Sequence, residues 1–100
     1  MSFGKYILDK DGNPVEEKNL MKWARWFETG DRKVDRTQIG TVSVSTVFLG
    51  LDHSFMGKVP LLFETMVFGG KLDKEMDRYT TREEAVEGHK RMVKRVEGEL

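Results

Sequence analysis

Asp52 and His53 close a run of β-forming residues, Glu64 sits inside a second such run, and His89 falls in the middle of a helical apolar pattern. Two imidazoles and two carboxylates are the side chains that a metal site or a general acid–base pair would draw on. Asp52-His53 also stands where a strand gives way to a loop, a place from which a rigid scaffold can offer polar groups to a ligand. Nothing in the spacing requires the four to meet. The chain has no phosphate-binding loop, dinucleotide-binding glycine pattern, nucleophile elbow or paired-histidine zinc helix. Without cysteine it has no thiol nucleophile, disulfide or cysteine-type zinc site. A small hydrolase or nuclease using Asp52, His53, Glu64 or His89 is one reading of this set. The plainer reading makes Asp52 a loop-ordering carboxylate, His89 a hydrogen-bonded core histidine and Glu64 half of an ion pair, with no metal or cofactor expected.

Glu64 carries the physical argument furthest. It lies in Leu61-Leu-Phe-Glu-Thr-Met-Val-Phe68, and a carboxylate among such neighbours must face water or meet a cation. Arg78, on the next strand, is the expected cross-strand partner. Phe48, Met66, Phe68 and Met76 would then line an open sheet face, with Glu64 and Arg78 as polar anchors and Asp52-His53 at its end. Such a face suits a small nucleotide-like ligand, a partner protein or a second copy of the chain. For a nucleotide, aromatic rings would stack on the base while Arg25, Lys58 and Arg78 held the phosphates. Trp26, in Trp23-Ala-Arg-Trp26, is a further candidate for partner contact, while Trp23 reads as core.

These residues need a scaffold, and the chain spells out most of one. Tyr6-Ile-Leu8 is a short strand running into the turn signals Asp11-Gly12 and Asn13-Pro14. The helix that follows has two candidate starts, Asn13-Pro14 and Asn19. Leu20, Trp23, Ala24 and Phe27 form its inward stripe, Trp26 sits on a shoulder, and Gly30 is the expected left-handed cap. Val34 to Ile39 reads as an edge strand. The central strand occupies Thr41 to His53, its partner Leu61 to Phe68, and a further strand Glu75 to Thr80. Thr81-Arg-Glu-Glu84 is a capping box opening a helix whose inward stripe is Ala85, His89, Met92, Val93 and Val96. The expected fold is α+β: an antiparallel four- to five-stranded sheet with two helices packed on one face, in the order β-α-β-β-β-β-α, as a single domain over residues 1–100. Aligning the more apolar strand faces puts Val47, Leu49 and Leu51 with Leu61, Phe63 and Val67 under the helices. Thr46, Phe48, Glu64, Met66 and Phe68 are left on the helix-free side.

Composition narrows the function classes. Seventeen Lys+Arg balance 17 Asp+Glu, which removes the excess positive charge that generic duplex DNA binding relies on. The N-terminal apolar run is too short for a signal peptide or membrane span, so the expected location is the cytoplasm, with no membrane partner.

Ser45-Thr-Val-Phe-Leu-Gly-Leu-Asp-His53, Leu61-Leu-Phe-Glu-Thr-Met-Val-Phe-Gly-Gly70, Arg78-Tyr-Thr80 and Glu84-Ala-Val-Glu-Gly-His89 together resemble a widespread family of small uncharacterised proteins of tailed bacteriophages and prophages. Lys22-Trp-Ala-Arg-Trp-Phe27 and Asp11-Gly-Asn-Pro14 extend the resemblance over nearly the whole chain. It implies an intracellular accessory protein made during infection in the host cytoplasm, acting by non-covalent binding. Counter-defence is the implied role, either by sequestering a nucleotide signal or by inhibiting a host protein. A dimeric structural or regulatory module is the remaining alternative.

Overall fold

In the computed structural model, which describes residues 4–54, 57 and 59–100, the chain runs β1 (Tyr6–Leu8), β2 (Pro14–Glu16), α1 (Leu20–Thr29), β3 (Lys33–Ile39), β4 (Val42–Phe48), β5 (Phe63–Phe68), β6 (Met76–Tyr79) and α2 (Arg82–Gly98). Strands β3 to β6 form an antiparallel sheet in sequence order, and β1 pairs with β2 in a separate two-stranded ribbon. The fold is the expected α+β class, with β2 as an added short strand. The Asp9 carboxylate shapes the turn between β1 and β2 by accepting from the amides of Asp11 and Asn13, and Gly12 takes φ +81°. Pro14 therefore opens a strand. The helix starts later, at the second of its two candidate positions, where the Asn19 side chain accepts from the Lys22 amide.

The two helices reach the sheet from the same side but unequally. Helix α2 lies along the sheet and buries Ala85, Gly88, His89, Met92 and Val96 against it. Its capping box forms as the sequence predicts, with Thr81 and Glu84 satisfying each other's amides. Helix α1 packs instead on β1 and on the extension of β4. Trp23 Nε1 donates to the Gly50 carbonyl, and the Phe27 ring closes on Gly50, where a Cβ would come within 2.9 Å of ring carbons. That contact and φ +78° both require glycine there. The inward stripe is Trp23, Trp26 and Phe27, whereas Leu20 and Ala24 face solvent, contrary to expectation. A ten-residue helix at a corner turns its largest rings inward because they bury the most area. Gly30 is extended rather than left-handed (φ −75°). Its lack of a side chain instead makes room for the Trp26 ring.

The register of β4 on β5 overturns the expected division of the faces. Val47 stands opposite Glu64, and Phe48 opposite Phe63. Val42, Val44, Thr46 and Phe48 therefore face α2 together with Phe63, Thr65 and Val67, all of them buried, while Val47 points to the other side. Side chains alternate with period two, so choosing the wrong parity moves every residue to the opposite face. The parity was misleading because Leu49 and Leu51 lie beyond the end of β4. There the chain bonds to the N-terminal segment, with the Tyr6 amide donating to the Gly50 carbonyl and the Asp52 amide to the Gly4 carbonyl. Both leucines are half-buried there.

Candidate functional site

Beneath α2 the polar side chains form a closed chain. His89, 2% exposed, contacts Thr37 Oγ1 through Nε2 at 2.8 Å and Thr46 Oγ1 through Nδ1 at 2.7 Å, and Thr46 in turn contacts Thr65. A neutral imidazole has one donor and one acceptor nitrogen. The Asp35 carboxylate, 3.6 Å from Nε2, favours the proton on that nitrogen, so Nδ1 accepts from Thr46, whose oxygen accepts from Thr65. Burial holds the His89 pKa below the ordinary histidine value, although Asp35 opposes the shift. Tyr79 abuts this seam with its ring laid on Gly88, where a Cβ would fall 2.2 Å from the ring and hydroxyl. Its hydroxyl is the one buried side-chain polar atom without a hydrogen-bond partner among the described residues. Burial raises the Tyr79 pKa, and the nearby Thr65 hydroxyl offsets part of that rise.

Asp52 also has a structural role. One of its oxygens accepts from the amides of Ser54 and Leu61, fixing both sides of the loop, while His53 is exposed. Burial pushes the Asp52 pKa up, and those hydrogen bonds with the neighbouring His53 charge outweigh it to leave a net lowering. Glu64 lies on the sheet face opposite His89, so the Asp52, His53, Glu64 and His89 set does not assemble. Among the described residues no three His, Cys, Asp or Glu side chains group as metal ligands would.

The helix-free face is built from three rows across the sheet. Gln38, Ser43 and Phe68 make the first; Arg36, Ser45, Met66 and Met76 the second; Val47, Glu64 and Arg78 the third, while Lys33, paired with Val47 across the bulge, lines the cleft beside Trp26 and Arg82. Arg78 Nε donates to Glu64 Oε2 at 3.0 Å, the cross-strand pair that the sequence calls for. Phe68 is 50% and Met76 39% exposed, and Met66 and Val47 lie half-buried beside them. A phenylalanine and a methionine so exposed on adjacent strands form an apolar patch that nothing in the described chain covers.

One expected member of this face, Phe48, and one further candidate for partner contact, Trp26, pack on the protein's own core. Phe48 is fully buried under the helices, for the register reason given above. Trp26 is half-buried with its ring edge-on to Phe48 at 5.6 Å, so its contact is with the protein's own core. Lys58 lies outside the described residues. Arg36 joins the face without having been singled out, and Val47, expected under the helices, joins it as well. The alternation of Arg36 and Gln38 with Thr37 and Ile39 along the edge strand was the signal that could have found the cation.

Clefts lie between α2 and β3 around Asp35, His89 and Lys94, and around Arg82, which reaches from α2 to the Gly12 carbonyl. None of these takes in Met66, Phe68 or Met76. Among the described residues no helix is long and apolar enough to cross a membrane. No protein-family model, curated protein or solved structure matches the chain.

Proposed function

We propose that the protein is a non-enzymatic binding module that docks a folded protein partner on the helix-free face of its sheet. The observation that carries this reading is the apolar patch of Met66, Phe68 and Met76 beside the Glu64–Arg78 pair. An ion pair that satisfies itself on the surface leaves no uncompensated charge when a partner covers it, and methionines adapt to a partner's contours. A nucleotide-sized ligand needs a concave site to bury most of its surface. The clefts described above avoid these residues, so the protein partner is the better fit. In the setting implied by the resemblance to bacteriophage accessory proteins, that partner would be a host protein, such as a component of a defence system.

The test is purification from infected host cells, followed by hydrogen-exchange footprinting of the complex. Protection should concentrate on β5 and β6, and Phe68→Glu or Met76→Glu should abolish co-purification while Leu20→Glu on α1 leaves it intact. Loss on Leu20→Glu with no effect of Phe68→Glu would move the site to α1.

A further inference from the structure

The chain is neutral as a whole, but its helix-free face is not. Among the described residues Arg36 and Arg78 project there against the carboxylate of Glu64, leaving a surplus of one positive charge, that of Arg36. The nearby acids turn away. Asp35 contacts His89 on the opposite face, and Glu75 pairs with Arg95 of α2 at 3.2 Å.

Arg36 is also held in position. Its guanidinium donates to Ser43 Oγ at 3.2 Å, Ser43 in turn donates to Gln38 Oε1, and Gln38 Nε2 donates to the Gly40 carbonyl at 3.0 Å. Among the described residues Arg36 forms no ion pair, so most of its donors remain for a ligand. A guanidinium anchored on one nitrogen loses less freedom when it takes a carboxylate. Arg36 shares a row with Met66, two strands away, which sets the cation about 10 Å from the apolar centre.

Resting on the docking role proposed above, we infer that the partner presents an acidic surface: a carboxylate that reaches Arg36, flanking an apolar anchor that seats on Met66, Phe68 and Met76. A second copy of the chain is the poorer occupant. A two-fold contact through this face would set one copy's Arg36 and Arg78 against the same cations of the other, with only the already paired Glu64 to offset them. A single-stranded nucleic acid would find the cations but, among the described residues, only one exposed ring, Phe68, on which to stack.

Two synthetic amphipathic helices with the same leucine stripe, one flanked by glutamates and one by lysines, serve as probes in calorimetric titrations of the intact protein. The glutamate peptide should bind about tenfold or more tighter than the lysine peptide, with a preference that shrinks as salt rises. Arg36→Glu should remove the preference, and Arg36→Gln should reduce it. Phe68→Ser should weaken both peptides alike. Equal binding of the two peptides, a preference for lysine, or a glutamate preference unchanged in Arg36→Glu overturns the acidic partner while leaving the docking face in place. Binding of neither peptide by the wild-type protein overturns both proposals. Tighter binding of an oligothymidylate than of the glutamate peptide, or a dimer in sedimentation that Phe68→Ser dissolves, replaces the acidic protein by those occupants.

Discussion

The two faces of one sheet solve the problem of polar groups among apolar neighbours in opposite ways. Under α2, Thr46, Thr65 and His89 are sealed from water and, with the half-buried Thr37, satisfy one another. On the helix-free face Glu64 and Arg78 satisfy each other while still partly exposed, next to rings and thioethers left in water. The first arrangement contributes to the stability of the fold, because each hydroxyl removed would strand a buried partner. The second contributes little to it, since ion pairs with solvent access are worth at most about 1 kcal/mol. Interior and open face are thus separated by the thickness of a single sheet.

That division can be broken experimentally, and the largest effect belongs to Gly88→Ala. Its methyl would overlap the Tyr79 ring, so the helix must lift or the ring must leave, at a cost of about 3 kcal/mol or more in chemical denaturation. Thr46→Val keeps the shape but strands His89 Nδ1 and Thr65, for a loss of about 1–3 kcal/mol by the same measurement.

Acidification comes next. Because the folded-state pKa of His89 is lowered, the unfolded chain binds the extra proton first. The stability His89 confers is present above its unfolded value of about 6.5 and declines as pH falls through that value toward the lowered one. Denaturation midpoints measured between about pH 7.5 and 5 should show this decline, and His89→Gln should flatten it. A further loss near pH 4 and below, from Asp52 and Glu84, whose pKa values are lowered by hydrogen bonds from backbone amides, should persist in that variant.

On the other face the expected changes in stability are small. Glu64→Gln should shift unfolding by no more than about 1 kcal/mol, given the partial exposure of the pair. Phe68→Ser should stay within about 0.5 kcal/mol of wild type while eliminating partner binding. If Phe68→Ser proved as costly as Thr46→Val, the ring would belong to the core and the contrast between the faces would fail.

How far the sequence carried this picture differs from residue to residue. The Glu64–Arg78 pair was legible because a lone carboxylate in an apolar run needs a cation and the following strand offers one at the right distance along the chain. The capping box at Thr81 and the inward stripe of α2 were legible because they are local and periodic. Phe48 and Trp26 were misplaced for a different reason. The side of the sheet that receives Phe48 depends on which residue of β5 it meets, and the face of α1 that turns inward depends on where β1 and Gly50 stand. The partners of His89 were illegible for the same reason, since Thr37 of β3 and Thr46 of β4 converge on it only after pairing.

What the sequence determined by itself was therefore the class and most of the elements: turns at Asp9 to Asn13, a helix opened at Thr81, and the strands of an antiparallel meander. Hydrogen bonding and side-chain periodicity over a few residues suffice for those, while β2 and the choice of Asn19 over Asn13 as the start of α1 came with the tertiary structure. Only the tertiary structure decided which parity of β4 faces α2, and with it which residues form the sealed seam and which the open face. Parity is fixed by pairing between residues distant in the chain, and a shift of one position exchanges core for surface at almost no local cost.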